Sequence, residues 1–502
     1  DEAGRLLLED LRGQAQWKLS QVLKFRLEQI LSRPAPDAGV SAVAATLLSA
    51  TPLLVELTVF KNEVAPCFPP EYEVVKIALE RFEEVIRPRV ESLYQDTASL
   101  EVHDMLQLVD WLDYYVCQMS VLGYPELASC VAFSDAARSI LVEYLYRVKT
   151  QVQEWFENIQ KRPLEPMQDA EGLRVTTQPE DMFNVIHMQL SVAQEKLSPE
   201  HQHSVVNACV QVLRDLQRQT HDNITNNTIT EYEALCAAVN DHSRMQVEMD
   251  KLGDSVLPRV SNGGGERDAL AEALDEVSGS YVQLALRYVT SLARATFLEL
   301  QEVVVTRFFV DEAWVSGEEA LMANLVETLR DYFGDAKSWL TSYFYAKYVR
   351  ECLSTAVVLY AEALAERARN GLTFGSNQGQ VAARMAEDME VLGTFFSEDE
   401  QRGPLESAGL RDAGALEAEL APMLHLAQFV SCQHPSAAEP DARLLLKKWG
   451  QDALVILTDV LTTNRDLDRR ERVACADLLA RWLREVNGEQ EEHGPGAMAA
   501  GG

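Results

Sequence analysis

Apolar residues along this chain return at helical spacing. From Ala137 they recur at Ile140, Leu141, Tyr144, Leu145, Val148, Val152, Trp155, Phe156 and Ile159. The offsets, 3, 4, 7, 8, 11, 15, 18, 19 and 22, keep one face of a single long helix apolar. Ser134-Asp135 offers a cap at its start and Pro163 a stop. The stretch from Asp268 to about Phe309 behaves alike, with Tyr281, Leu284, Ala285, Tyr288, Leu292 and Ala295 on one face. A third long helix is predicted from about Asp335 to Asn370, ended by Gly371. No stretch sustains period-2 alternation, and Val303-Val304-Val305 lies inside a helical pattern, so no sheet is expected.

Breakers divide this pattern. Residues 161–179 hold three prolines and a glycine, which predicts an ordered corner in which Thr176, Thr177 and Asp181 cap the next helix. SNGGG at 261–265, GLTFGSNQG at 371–379 and CQHPSAAEP at 432–440 read as connectors. The tail from Asn487 reads as disordered. The expected organisation is helical bundles over 1–162, 163–262, 263–372 and 373–486, then the tail at 487–502. No repeat of fixed period is visible, which disfavours a regular solenoid or a HEAT-like array. The expected fold is all-α, an elongated rod of successive antiparallel helical bundles.

A length of 502 residues exceeds what one core organises, in keeping with several packed units. The 45 basic and 78 acidic side chains leave a net charge of −33. Such a surface repels phosphate backbones and anionic headgroups, so nucleic acid is excluded as a partner and membrane contact is expected to be indirect. The eight cysteines form no C-x-x-C pair and most sit in apolar helical pattern, which reads as reduced, buried thiols of a cytosolic protein. The sequons at Asn223 and Asn226 are read as chance matches. No apolar run is read as reaching the ~18 residues a spanning helix needs. The chain begins at Asp1 without Met, and a longer natural protein is expected.

Catalytic constellations were sought and none is formed. There is no phosphate loop, no H-E-x-x-H and no G-x-S-x-G. His201 and His203 stand two apart near a helix start and point to different faces, poor geometry for one metal. His187, His221 and His425 read as surface or interface histidines. Asn240, Asp241 and Glu248 fit half of the magnesium spacing of all-helical isoprenoid synthases, but Arg244 occupies the hydroxyl position. No D-D-x-x-D exists; Asp110 and Asp113 are the nearest pair. The acidic run 397–400 is a solvated cap or an acceptor for a basic partner patch. No catalytic, cofactor-binding or metal residue is therefore assigned, and the chain is expected not to be an enzyme.

Several stretches, in order, resemble one family. VEYLYRVKTQVQEWFENI (142–159) is similar to a long helix ending W-[FY]-x-N-I, and GLRVTTQPEDMFNVIHMQLSVA (172–193) to the loop and helix that follow it. EYEALCAAVNDHSRM (231–245) resembles a further family helix, which accounts for Asn240-Asp241. Residues 303–369 carry Phe309 and Trp314, a two-helix hairpin split at Asp331-Tyr332-Phe333, then Tyr343-Phe344 and the basic Arg367-Ala368-Arg369. The family is the exocyst complex component 3 family, and the resemblance covers about residues 100–460.

That resemblance implies a subunit of the exocyst that tethers secretory vesicles to the plasma membrane before SNARE-mediated fusion. It implies other exocyst subunits and SNARE proteins as partners, peripheral recruitment from the cytoplasm, and an N-terminal coiled-coil segment that assembles the complex. The Gly-rich 261–265 loop and the acidic balance depart from the family, so no interface residue is transferred. Two alternatives compete. One is a tumour-necrosis-factor-induced paralogue that remodels membrane and actin, disfavoured because only Lys18, Lys24 and Arg26 cluster near the N-terminus. The other is the helical diphosphate-binding enzyme set aside above.

Overall fold

The computed structural model describes residues 2–31, 39–260, 265–310, 312–317, 320–371, 374, 378–407, 413–432, 434–464 and 467–492. Nearly all of them are helical. They divide into two compact units: residues 1–162, 180–216 and 249–277 form the first, and 163–179, 217–248 and 278–502 the second.

The first unit opens with α1 (Glu2–Leu31), α2 (Ala42–Val59), α3 (Val74–Glu91), α4 (Val102–Val121) and α5 (Ala128–Gln160). Its core is aromatic. Phe82 of α3, Trp111 and Tyr115 of α4 and Phe133 of α5 are all buried, with Tyr115 and Phe133 meeting edge-on at 4.8 Å. Trp111 Nε1 donates to Thr51 Oγ1 of α2 at 3.0 Å, so the largest ring buries no unpaired donor. α5 starts at Ala128, earlier than a cap at Ser134-Asp135 would place it. The acceptor comes from another helix: the Glu83 carboxylate of α3 takes Ser129 N–H at 3.0 Å, so no local cap is needed. Phe156 is buried, whereas Trp155, expected to share its role, is only half-buried. The anchor at the C-terminal end of α5 is Phe156.

A second correction concerns α2. Ala42–Cys67 is a helix long and apolar enough, by length and composition, to cross a membrane, with a hydropathy of 1.8. Scattered Ser and Thr hide this in the sequence. In the helix Thr46, Ser49, Thr51 and Thr58 donate their hydroxyls to the carbonyls four residues earlier, which removes them as competing polar groups. Val43, Leu47, Ala50, Leu53, Leu54 and Leu57 of α2 are buried inside the unit.

α6 (Gln178–Lys196), α7 (Pro199–Thr225), α8 (Tyr232–Val256) and α9 (Glu266–Val303) follow, and the division between the units falls within α7, α8 and α9. The second unit continues with α10 (Glu312–Ser316), α11 (Leu321–Trp339), α12 (Ser342–Arg369) and α13 (Gln378–Ser397). It ends with α14 (Asp399–Ser407), α15 (Ala413–Ser431), α16 (Glu439–Trp449), α17 (Gln451–Val460) and α18 (Arg469–Glu492). α13 and α15 pack closely at Gly393, where an added Cβ would lie 3.1 Å from Leu420 Cδ1.

The third long helix expected from Asp335 is two helices. Leu340 is extended (φ −107, ψ 152), which ends α11, and Thr341 precedes α12. The hairpin split therefore lies at 340–341, and Asp331-Tyr332-Phe333 sits within α11. The absence of sheet is corrected in one place: β1 (Met167–Gln168) and β2 (Arg174–Val175) pair antiparallel. α18 continues through Asn487 to Glu492, so the tail expected from 487 begins no earlier than 493. The connector residues 261–264, 372–373 and 375–377 and the tail 493–502 lie outside the described residues. Cys67 and Cys117 are exposed, while Cys130, Cys209, Cys236, Cys352 and Cys475 are buried as expected of apolar helical positions.

Candidate functional site

Asn240 and Asp241, which sequence spacing set beside a magnesium motif, form a polar clamp inside the second unit. They follow the apolar run Ala234–Val239 of α8, and both are buried. Asn240 Nδ2 donates to the carbonyls of Arg174 and Trp339, each at 2.7 Å. It thus ties β2 to the end of α11, using carbonyls that the hairpin and the helix terminus leave open. Asp241 accepts Thr176 N–H at 2.9 Å and the Thr176 hydroxyl at 2.6 Å. Arg244 pairs with Asp169 at the other end of the hairpin. Arg174 pairs with Glu233 at 2.9 Å and lies 4.9 Å from the centre of the Trp339 ring. Within the corner expected at 161–179, the hairpin is thus held by side chains of α8, and Thr176 accepts Gln178 N–H at 3.2 Å as the helix begins.

Burial pushes the Asp241 carboxyl up to about 6, against the hydrogen bonds from Thr176 and the charge of Arg244, which pull it down. In the unfolded chain the same carboxyl titrates near ~3.9. Between those values the folded protein holds a proton that the unfolded chain has released. The resulting stabilisation is present below the unfolded value and is lost as pH rises through about 6. Relative to Asp241→Asn, the parent should therefore gain about 1–2 kcal/mol between pH 7 and pH 5. Urea melts of both proteins at the two pH values check this; parallel curves would contradict the assignment.

The other candidates are dispersed. His201 Nε2 lies 2.7 Å from Asp113 and His203 Nε2 3.8 Å from Glu266, so the two histidines serve different partners. The Asp110 carboxyl is raised by burial and by Asp113. Glu398 of the acidic run receives Arg330 in a two-pronged pair at 2.6 and 3.0 Å, which holds its carboxyl below the usual range. Arg367 donates to Thr306 O, and Arg369 pairs with Asp459 at 3.1 Å, so the basic cluster is engaged internally. Among the described residues no group of three or more His, Cys, Asp or Glu is placed to hold a metal.

Two grooves remain. One of about 270 Å³ in the second unit is lined by Glu362, Asp452, Asp459, Arg367 and Arg369. Another of about 420 Å³ in the first unit is apolar, lined by Leu27, Val55, Val59, Phe60 and Val64. Neither gathers a nucleophile and a base. The described residues bring together an internal polar clamp and these two grooves.

Comparison with known proteins identifies the family. The family model described as exocyst complex component Sec6 matches residues 15–469. Among solved structures the chain is similar to the C-terminal domain of the exocyst subunit Sec6p, with a TM-score of 0.59 at 16% identity over 72% of this chain and 94% of that one. It is also similar to M-Sec, with a TM-score of 0.55 at 15% identity over 94% of this chain and 77% of that one. At those identities the two structures speak for a shared helical fold.

Proposed function

The chain belongs to the exocyst component Sec6 family, and from that premise we propose that it tethers secretory vesicles to the plasma membrane before SNARE-mediated fusion, through protein contacts and without turnover. The observation that carries the reading is the family match, which runs through both compact units. A tether raises the effective concentration of the fusion machinery at the target membrane, which calls for binding surfaces and not for a reactive centre. Its partners are the other exocyst subunits and SNARE proteins, met at cytoplasmic sites of exocytosis.

The net charge of −33 adds a physical expectation. Partner surfaces should be basic, and association should be steered electrostatically. Pull-downs of exocyst subunits should therefore weaken steadily as salt rises from low to physiological levels and beyond. The chain alone should bind phosphoinositide-containing vesicles weakly in flotation. Salt-insensitive capture together with strong flotation would replace partner-mediated recruitment by direct membrane binding.

A further inference from the structure

The groove of about 270 Å³ in the second unit lies between two helix faces of one pattern. α12 lends it Leu359, Glu362, Ala363 and Glu366. α17 lends it Asp452, Val455, Ile456 and Asp459. Each set steps by 3, 1 and 3 residues, which is the spacing of a single helix face, and the two helices pack against each other. Two other contacts in this unit set an acid against a guanidinium: Glu398 pairs with Arg330 at 2.6 Å and Glu419 with Arg350 at 3.2 Å. Across this groove acid faces acid. Burial and the Asp452 charge together raise the Glu362 carboxyl. The two arginines at hand are committed elsewhere, Arg369 to Asp459 and Arg367 to Thr306 O. Among the described residues no hydrogen bond or ion pair reaches the carboxylate of Glu362 or of Asp452.

The walls say what the occupant carries. Four carboxylates against two guanidiniums leave the groove negative, and the carbonyl end of α12, whose last residue is Arg369, adds to that sign. The charge calls for a cation. A divalent metal does not fit, because it needs several oxygen ligands converging on one point, and among the described residues no group of three or more His, Cys, Asp or Glu converges. The apolar positions specify the rest. Val455 is 51% exposed between Asp452 and Asp459, and Leu359 is half-buried one turn before Glu362. Among side chains only Lys and Arg join a cation to a run of methylenes that can lie along such a wall. A second copy of this chain, at −33, is repelled as a whole.

We propose that this groove docks a basic side chain, Arg or Lys, projecting from another protein, with its methylenes along Leu359 and Val455 and its cation between Glu362 and Asp452. The inference goes beyond the tether reading and stands on the groove alone.

The test is photocrosslinking of the full chain in its own cells, with benzoylphenylalanine at position 451. Gln451 is exposed and lies one turn from Val455, outside the groove itself. Irradiation should give an adduct with one protein, and the joined peptide should contain an Arg or Lys. In Glu362→Gln/Asp452→Asn the yield of that adduct should fall about tenfold. Replacing the partner's Arg or Lys by Gln should lower it alike. The same double variant should melt at or above the parent, because it removes two carboxylates that repel one another. No adduct with the parent groove, an adduct that the double variant leaves undiminished, or a joined peptide without Arg or Lys overturns the site. So does a double variant that melts below the parent, since the carboxylates would then serve the fold. Such a failure leaves the tether reading intact wherever exocyst subunits still co-purify. The expected adduct, formed in cells from which no exocyst subunit co-purifies, would keep the site and remove the tether.

Discussion

Trp314→Ala is expected to destabilise the second unit by about 3–5 kcal/mol. Trp314 is 1% exposed and lies tilted against Phe309, ring centres 4.5 Å apart, which in turn meets Tyr360 edge-on at 4.9 Å. The loss is more than a cavity. The indole Nε1 donates to Asp388 Oδ2 at 3.2 Å, and the Tyr360 hydroxyl donates to the same oxygen at 2.9 Å. Asp388 is 1% exposed, its carboxyl raised by burial, with Arg384 at 3.4 Å from the other oxygen. Removing the indole deprives a buried charge of a donor as well as opening space. Phe309 also holds a left-handed backbone (φ 60) that its packing against Trp314 and Tyr360 keeps in place. Trp314→Phe, which keeps an aromatic ring and most of the volume but removes the N–H, should cost less than half as much. Urea unfolding of the parent and both variants measures the difference: a Trp314→Phe midpoint equal to the parent's would show that the indole donor has no part, and one equal to that of Trp314→Ala would show that the ring volume has none.

Asn240→Ala should cost about 1–3 kcal/mol, from two part-buried carbonyls left without their donor. Its effect should also be local. With Arg174 and Trp339 no longer joined through Asn240, the segment 163–179 should become the first site of limited proteolysis, with cleavage near Arg174. In the parent that segment should be cut later than the chain termini. Early cleavage at Arg174 in the parent would contradict the clamp, as would an Asn240→Ala protein cut in the parental order.

Much of this fold is legible in the sequence because amphipathic helices write their burial directly into residue spacing. The face of α5 from Ala137 to Ile159 is the face that the structure buries at Ile140, Tyr144, Val148, Val152 and Phe156. What is illegible depends on partners distant in sequence. α5 begins early because Glu83, more than forty residues upstream, supplies its first acceptor. The break at Leu340 carries no Gly or Pro; the only local sign is Thr341-Ser342, and part of its cause is Asn240, whose side chain takes the Trp339 carbonyl. Asn240 and Asp241 did stand out, with Glu248, as half of a magnesium-motif spacing. Sequence spacing could suggest a cation for them, but only the folded chain brings Thr176 and the Arg174 carbonyl within reach.

The central claim is that this Sec6-family chain works as a member of the exocyst. Affinity purification of the full chain from its own cells, with stoichiometry measured by quantitative mass spectrometry, tests it most directly. The account predicts the other exocyst subunits in amounts equal to the bait, released progressively as salt is raised. Recovery of the chain alone, or with actin and membrane and no exocyst subunit, would contradict it.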